Sequence, residues 1–256
     1  MINRYDNSEV EKIRESSLLV GETLAEVGKI LRPGIKTKEL DKRAEEFIRD
    51  NGAIPTFKGY GGFPTALCIS INEVVVHGFP SDYEIKDSDI VSIDCGVTKD
   101  GFVGDSAYTF MMPNVSDEAR KLCRITKESL YIGIEMAVAE NRVGDISWAI
   151  QGYCEGNGYG VVRDLCGHGV GRNLHEKPDV PNFGKRGNGP KLKDGMVIAI
   201  EPMITAGTYK VYQAKDGWTI YTQDKKPAAH YEHDVVIRQG KAEILSSFAP
   251  IEALGY

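Results

Sequence analysis

The sequence predicts an α+β fold with pseudo-two-fold symmetry, helices covering one face of a mainly antiparallel sheet and a site between the halves. Three observations predict it. Two helical stretches, an Asn-Gly stop and then β-type segments occur in that order twice. Asp100-Gly101 between two β-type runs is a hairpin signal, so neighbouring strands run antiparallel. No GxGxxG follows a strand, which disfavours a doubly wound dinucleotide-binding sheet. No Pro/Gly/Ser-rich linker divides the halves, about 8–115 and 116–247, so residues 1–256 are expected to form a single domain.

The elements follow in order. Residues 8–32 read as a helix, because Val10, Ile13, Val20, Leu24, Val27 and Leu31 keep a 3,4 spacing broken only by Ser17. Ser8-Glu9-Val10-Glu11 fits a capping box at its start, and Pro33-Gly34 stops it. Thr37 can cap a second helix carrying Leu40, Ala44, Phe47 and Ile48, which Asn51-Gly52 ends. Strand-like runs follow at ALCISINEVVV, DIVSIDCGV and FVGDSAYTF. In the second half, Ser116 opens a long helix through about Asn141. Asp145 is expected to cap a shorter one bearing Ile146, Ile150 and Tyr153, and Asn157-Gly158 ends it. MVIAIEPMI and HYEHDVVIR are its main strand-like runs.

Composition narrows the classes. A chain of 256 residues can bury a sizeable core, and its net charge of −6 argues against a nucleic-acid binder. No apolar run is long enough to span a bilayer, and the charged start MINRYDNSEVEKIRE is no secretory leader. Five cysteines, at 68, 95, 123, 154 and 166, form no CxxC pair, so neither a disulfide framework nor a Cys-based zinc site is expected. A reduced, cytoplasmic setting fits them.

The run IVSIDCGVTKDGFVGDSAYTF is the most informative. If Asp100 and Gly101 are the central turn residues, Lys99 faces Phe102, Gly96 faces Asp105 and Asp94 faces Ala107. The two aspartates are then diagonal neighbours on one face; a loop shifted to Lys99-Asp100 sets them directly opposite, roughly 5–8 Å apart in either register. A three-residue loop would split them. Two half-buried carboxylates that close repel each other unless a cation lies between them. Solvated aspartates on an exposed hairpin are the plainer alternative, but Ile90, Val91, Ile93 and Val97 point to burial.

Glu201, ending MVIAIE, and Glu232, in HYEHDVVI, have the same setting, and the glycine-flanked His168 of GHGVGRNLHEKP adds an imidazole. Asp94, Asp105, Glu201, Glu232 and His168 make an oxygen-rich set with one nitrogen, which suits Mn, Co or Fe(II), with Zn less favoured. Four acidic ligands exceed what one catalytic ion needs; a pair of divalent cations sharing bridging carboxylates fits better. His175 lies seven residues beyond His168, two helical turns away, but three glycines and a proline make a helix there a poor expectation.

These motifs are similar to those of the bacterial type I methionine aminopeptidases. INEVVVHGFP, VSIDCGVTKDGFVGDSAYTF, GHGVGRNLHEKP, VIAIEPMI and HYEHDVVI carry the resemblance jointly, in order and spacing, from about residue 8 to 247. It implies the pita-bread fold, with a curved sheet, and the same five metal ligands. It also implies removal of N-terminal methionine from nascent chains and peptides with a small second residue. Water activated by the metal pair would attack the first peptide bond. His77 would contact the scissile amide or the amine end. His175 would donate to the developing oxyanion, and Glu201 would shuttle the proton to the leaving amine.

By the same resemblance Tyr60, Phe63, Cys68, Leu174 and Trp218 line an apolar pocket for the thioether side chain, plain core packing being the alternative for each. It further implies a monovalent cation near Asn72 and Val74, a monomer, and a transient ribosome contact. His230 stands where these enzymes often carry Gln and receives no role. His233, beside Glu232, should point to the opposite face by strand alternation. The short spacing from His175 to Glu201 leaves no room for the type II insertion, and no Cys-rich extension precedes residue 8. Three rivals share the fold: an aminopeptidase P or prolidase, a binding module that has lost catalysis, and a metal-free hydrolase of the creatinase type. The first usually has a large extra N-terminal domain and additional histidines around the site; the others lack metal ligands that are all present here.

Overall fold

The computed structural model describes residues 2–256. Its elements repeat as expected. The first half has α1 (Asn7–Ile30), α2 (Thr37–Asp50), β1 (Ile54–Pro55), β2 (Leu67–Ile71), β3 (Val74–Val76), β4 (Ile90–Lys99) and β5 (Phe102–Met111). The second begins with α3 (Asp117–Met136) and α4 (Val143–Gly156), followed by β6 (Gly160–Val161), β7 (Cys166–Gly169), β8 (Glu176–Pro181) and β9 (Val197–Ile200). Then come β10 (Met203–Thr205), β11 (Val211–Gln213), β12 (Ile220–Thr222), β13 (Ala228–His230), β14 (His233–Val236), β15 (Glu243–Ile244) and α5 (Ala249–Glu252). Helices α2 and α4 both run 14 residues to an Asn-Gly stop, which is the repeat at its clearest.

Helix starts differ from expectation in an instructive way. The capping box of α1 uses Asp6 and Glu9 rather than Ser8 and Glu11. Asp6 Oδ1 accepts from the Glu9 amide at 2.9 Å, and Glu9 Oε2 accepts from the Asp6 amide at 3.2 Å. The two quartets have the same spacing; the earlier one places a full negative charge at the positive helix end. Thr37 is the first residue of α2 and not its cap, because its hydroxyl accepts from the Ser81 amide and donates to the Ser81 carbonyl. Asp145 likewise lies inside α4, three residues after the cap, where Oδ2 accepts from the Arg142 amide at 2.7 Å. Helix α3 stops at Met136, short of Asn141, whose side-chain amide donates to the Met136 carbonyl and closes the helix end.

All paired strands are antiparallel, in four hydrogen-bonded sheets rather than one: β1-β4-β2 with β5 on β4, β13-β10-β6, β11-β12-β3, and β15-β14-β9-β7-β8. The β4–β5 ladder has the register of a turn centred on Asp100-Gly101, with Gly96 opposite Asp105 and Asp94 opposite Ala107. Asp100 and Gly101 have φ of 50° and 78°, as such a turn requires. Helix α1 lies directly against β5. A Cβ on Gly104 would sit 2.2 Å from the Ser17 amide nitrogen, so glycine alone allows that approach.

The halves meet along the outer edge of β5, where backbone groups not used by β4 find partners in the second half. The Val103 amide donates to the Gly171 carbonyl at 2.7 Å, the Asp105 amide to Asp234 Oδ2 at 2.7 Å, and the Ala107 carbonyl accepts from the Glu232 amide at 3.0 Å. Thr109 Oγ1 bridges both the amide and the carbonyl of His230. This seam brings residues some 125 positions apart in sequence to one site. Cys68, Cys95, Cys123 and Cys154 are buried free thiols, and Cys166 is exposed. No helix among the described residues is long and apolar enough to cross a membrane.

Candidate metal centre and substrate pocket

Five side chains converge on one point of the seam. Asp105, His168 and Glu232 each bring a ligand atom within 4.8 Å of the others, and all three are buried. His168 Nε2 is 3.8 Å from Asp105 Oδ2 and 3.5 Å from Glu201 Oε1. Asp94 enters from β4, beside Asp105 on the same hairpin face. His168 is held by β7, and its Nδ1 lies 3.0 Å from the Gly169 carbonyl, which leaves Nε2 to face the acids. The neighbouring Gly167 and Gly169 have backbone carbonyls 2.4 and 2.5 Å from where a Cβ would be, so the glycines flanking His168 serve close strand packing.

The electrostatics are those of several acids buried together. Burial pushes the Glu201 carboxyl up to about 8. Burial raises Asp94 to about 7, where His230 opposes the rise and Glu201 adds to it. Asp105 and Glu232 are driven well above the usual carboxylate range, first by burial and then by the other acids. His168 is held down to about 4 by burial and by His175, so its imidazole is neutral. Asp94 Oδ1, Asp105 Oδ1 and Glu232 Oε1 are buried without a hydrogen-bond partner. Buried carboxylate oxygens are rarely left unpartnered, and a divalent cation satisfies all of these at once. The donor set therefore fits divalent metal.

Beside this floor lies a pocket with about 320 Å³ of atom-free space, lined by Phe57, Tyr60, Phe63, Cys68, His77, Asp94, His175 and Trp218. Phe63 packs edge-on against both Phe57 and Trp218. Tyr60, Phe63, Cys68 and Trp218 therefore face the cavity together with both histidines. Leu174 is not among the residues at the cavity surface but is buried in the apolar cluster that contains Phe57, Phe63 and Cys68, while its successor His175 faces the pocket. Phe57 was not singled out in the sequence, although it begins the aromatic series Phe57, Tyr60, Phe63.

His175 Nδ1 lies 2.9 Å from Tyr60 Oη, and its ring meets that of His168 edge-on at 4.4 Å. GHGVGRNLHEKP is thus no helix: one histidine joins the acids and the other turns to the pocket. Burial lowers His175, and His77 falls to about 4 through burial and then through His230 and His175. His77 has φ of 58°, and its carbonyl accepts from Thr219 Oγ1 at 3.4 Å.

His230 is the residue the sequence reading passed over. It is fully buried, with Nε2 unpartnered and 3.6 Å from Glu201 Oε2. Its spacing of two from Glu232 was the available signal, since alternate strand positions share a face. His233 points away as expected: Nδ1 is bonded to Ser246 Oγ and the ring stacks on Phe248 at 3.8 Å. Asn72 and Val74 line a larger cleft of about 980 Å³ on the far side of Gly78 and Phe79. There the Asn72 carbonyl accepts from the Ala228 amide at 2.8 Å.

Residues 11–239 match the model of metallopeptidase family M24. A methionine aminopeptidase of Clostridium perfringens is 54% identical over 246 residues, covering 96% of this chain and 99% of its own. The crystal structure of methionine aminopeptidase from Rickettsia prowazekii superposes with a TM-score of 0.95 at 39% identity, covering 96% of this chain and all of its own. An X-Pro aminopeptidase from Thermotoga maritima has a TM-score of 0.75 at 22% identity and shares the fold; this chain covers 62% of it.

Proposed function

The chain belongs to metallopeptidase family M24, and we propose that it is a methionine aminopeptidase that removes N-terminal methionine from nascent chains and peptides whose second residue is small. The observation that carries this reading is the juxtaposition of a buried acid–histidine floor with an aromatic-lined pocket.

Asp94, Asp105, His168, Glu201 and Glu232 would hold two divalent cations, of which Co, Mn, Fe(II) and Zn all suit the donor set. When bound, such cations lower the pKa of water and polarise the scissile carbonyl. The protein's own groups do the rest. Phe57, Tyr60, Phe63, Cys68 and Trp218 receive the unbranched methionine side chain and exclude water from it. In the tautomer in which the Tyr60 hydroxyl donates to Nδ1, the neutral His175 keeps its proton on Nε2 and gives a hydrogen bond to the oxyanion as the carbonyl becomes tetrahedral. His77, on the same wall, contacts the scissile amide or the amine end. Glu201, the carboxylate that follows β9, takes a proton from the attacking water and delivers it to the leaving amine.

Residues 1–256 act in this reading as one catalytic unit, with the site on the seam. A monovalent cation near Asn72 and Val74, a monomeric and cytoplasmic protein, and a transient ribosome contact complete it. The test compares Met-Ala-Ser with Xaa-Pro peptides, with and without added Co or Mn. Methionine released from Met-Ala-Ser alone, and abolished by chelator, is the expected result. Cleavage of the Xaa-Pro peptides in its place would assign the chain to the prolidase reading, and no release with any metal would overturn both.

A further inference from the structure

One buried acid at the seam is not among the five. Asp234 is fully buried on β14, two residues beyond Glu232. Its Oδ2 accepts two hydrogen bonds of 2.7 Å, one from Ser17 Oγ on α1 and one from the Asp105 backbone amide on β5. Its Oδ1 has no hydrogen-bond partner. The charged and titratable groups facing it are Asp105, Glu232 and Glu201, all acidic, and no cationic side chain pairs with it. A carboxylate placed among other carboxylates, with one oxygen unsatisfied, opposes folding unless its other oxygen does something specific.

That oxygen stands where a neighbouring strand would supply a carbonyl. Along the outer edge of β5, Val103 is met by the Gly171 carbonyl and Ala107 by the Glu232 amide, and between them Asp105 is met only by Asp234. The contact fixes the peptide of one acid of the floor to the strand that follows another, Glu232. Ser17, whose backbone is pressed against Gly104, holds Asp234 from the opposite side. The chain α1–Asp234–Asp105 therefore sets the separation of Asp105 and Glu232, which come from different halves.

We propose that Asp234 is a positioning residue for the metal centre, acting through the Asp105 backbone amide. The inference rests on the metal-binding reading above. Outer-shell partners of ligands typically change metal affinity about 10–100-fold when removed. Asp234→Leu has the same branching and no acceptor, and it also removes the unsatisfied oxygen; Asp234→Ala is a second, smaller variant without an acceptor. Asp234→Asn keeps a carbonyl oxygen for the Asp105 amide. Mn binding to each chelator-treated protein is measured by calorimetry, with thermal unfolding in parallel.

The expected result is that the Leu and Ala variants bind Mn about 10–100-fold more weakly than the unmodified chain. Asn should stay within about threefold of it. Ser17→Ala, which leaves the Asp105 contact in place, should behave like Asn. Leu and Ala variants within about threefold of the unmodified chain would overturn the proposal, as would Asn weakened as much as Leu. If the unmodified chain itself bound no Mn, the metal-centre reading would fail instead, so the two failures are told apart.

Discussion

The floor and the wall of the site are built by opposite means. The floor is acidic, buried and assembled from both halves: Asp94 and Asp105 on one hairpin and His168 on β7, with Glu201 and Glu232 in the breaks between strands of the second half. The wall is aromatic and comes largely from the irregular segment of residues 57–63 together with His77, His175 and Trp218. The floor is buried beside paired strands, whereas Tyr60 on the wall remains 41% exposed. In the proposed reading the buried part holds charge and the open part receives a side chain that must enter and leave.

If that division holds, substitutions on the two surfaces must fail differently. His168→Ala removes the sole nitrogen from the floor, and both activity and bound metal should be lost, the latter read by elemental analysis. His175→Ala removes a donor from the wall. Its kcat should fall roughly 10²–10³-fold while metal content stays near that of the unmodified chain. Equal metal depletion in both would break the comparison. Trp218→Ala opens the pocket: KM for a methionyl peptide should rise about tenfold or more, with a smaller change in kcat, as for lost side-chain burial. Tyr60→Phe is the subtlest probe of the wall. Without its hydroxyl the tautomer of His175 is no longer set, so kcat should drop several-fold, roughly tenfold at most, with KM nearly unchanged.

A pH series sharpens the floor. Its acids titrate higher in the folded than in the unfolded chain, with Asp94 about 7 and Glu201 about 8. The buried histidines, held below their usual value, oppose this in acid; above about 7, where unfolded histidines are neutral too, the folded state binds more protons, so stability of the chelator-treated protein falls as pH rises through that window. Melting temperatures should therefore decline from about pH 7 to 8 without metal. Added Mn should reverse the trend, because deprotonated carboxylates bind it better. A metal-free protein that became more stable over the same range would contradict the description of the floor.

The same contrast explains what was legible in the sequence. Asp94 and Asp105 could be paired from Asp100-Gly101 alone, since a two-residue turn fixes register and register fixes face. The two-part repeat was equally plain, because two Asn-Gly stops of the same kind end α2 and α4. Helix caps were misplaced where a tertiary partner competed: the Thr37 hydroxyl had been claimed by Ser81. His230 was signalled only by its spacing of two from Glu232, and the contact of Asp234 with the Asp105 amide was invisible because it depends on the seam along β5, which no local pattern encodes. Leu174 and Phe57 show the limit for the wall, where the chain is irregular and no periodicity says which side faces the cavity.

The central claim is that the buried acids hold the cations on which methionine release depends. Titrating Mn into chelator-treated protein, while following methionine released from Met-Ala-Ser, tests it most directly. Release should be absent at zero metal and should rise in step with bound Mn to saturation. Undiminished release from metal-free protein would contradict it.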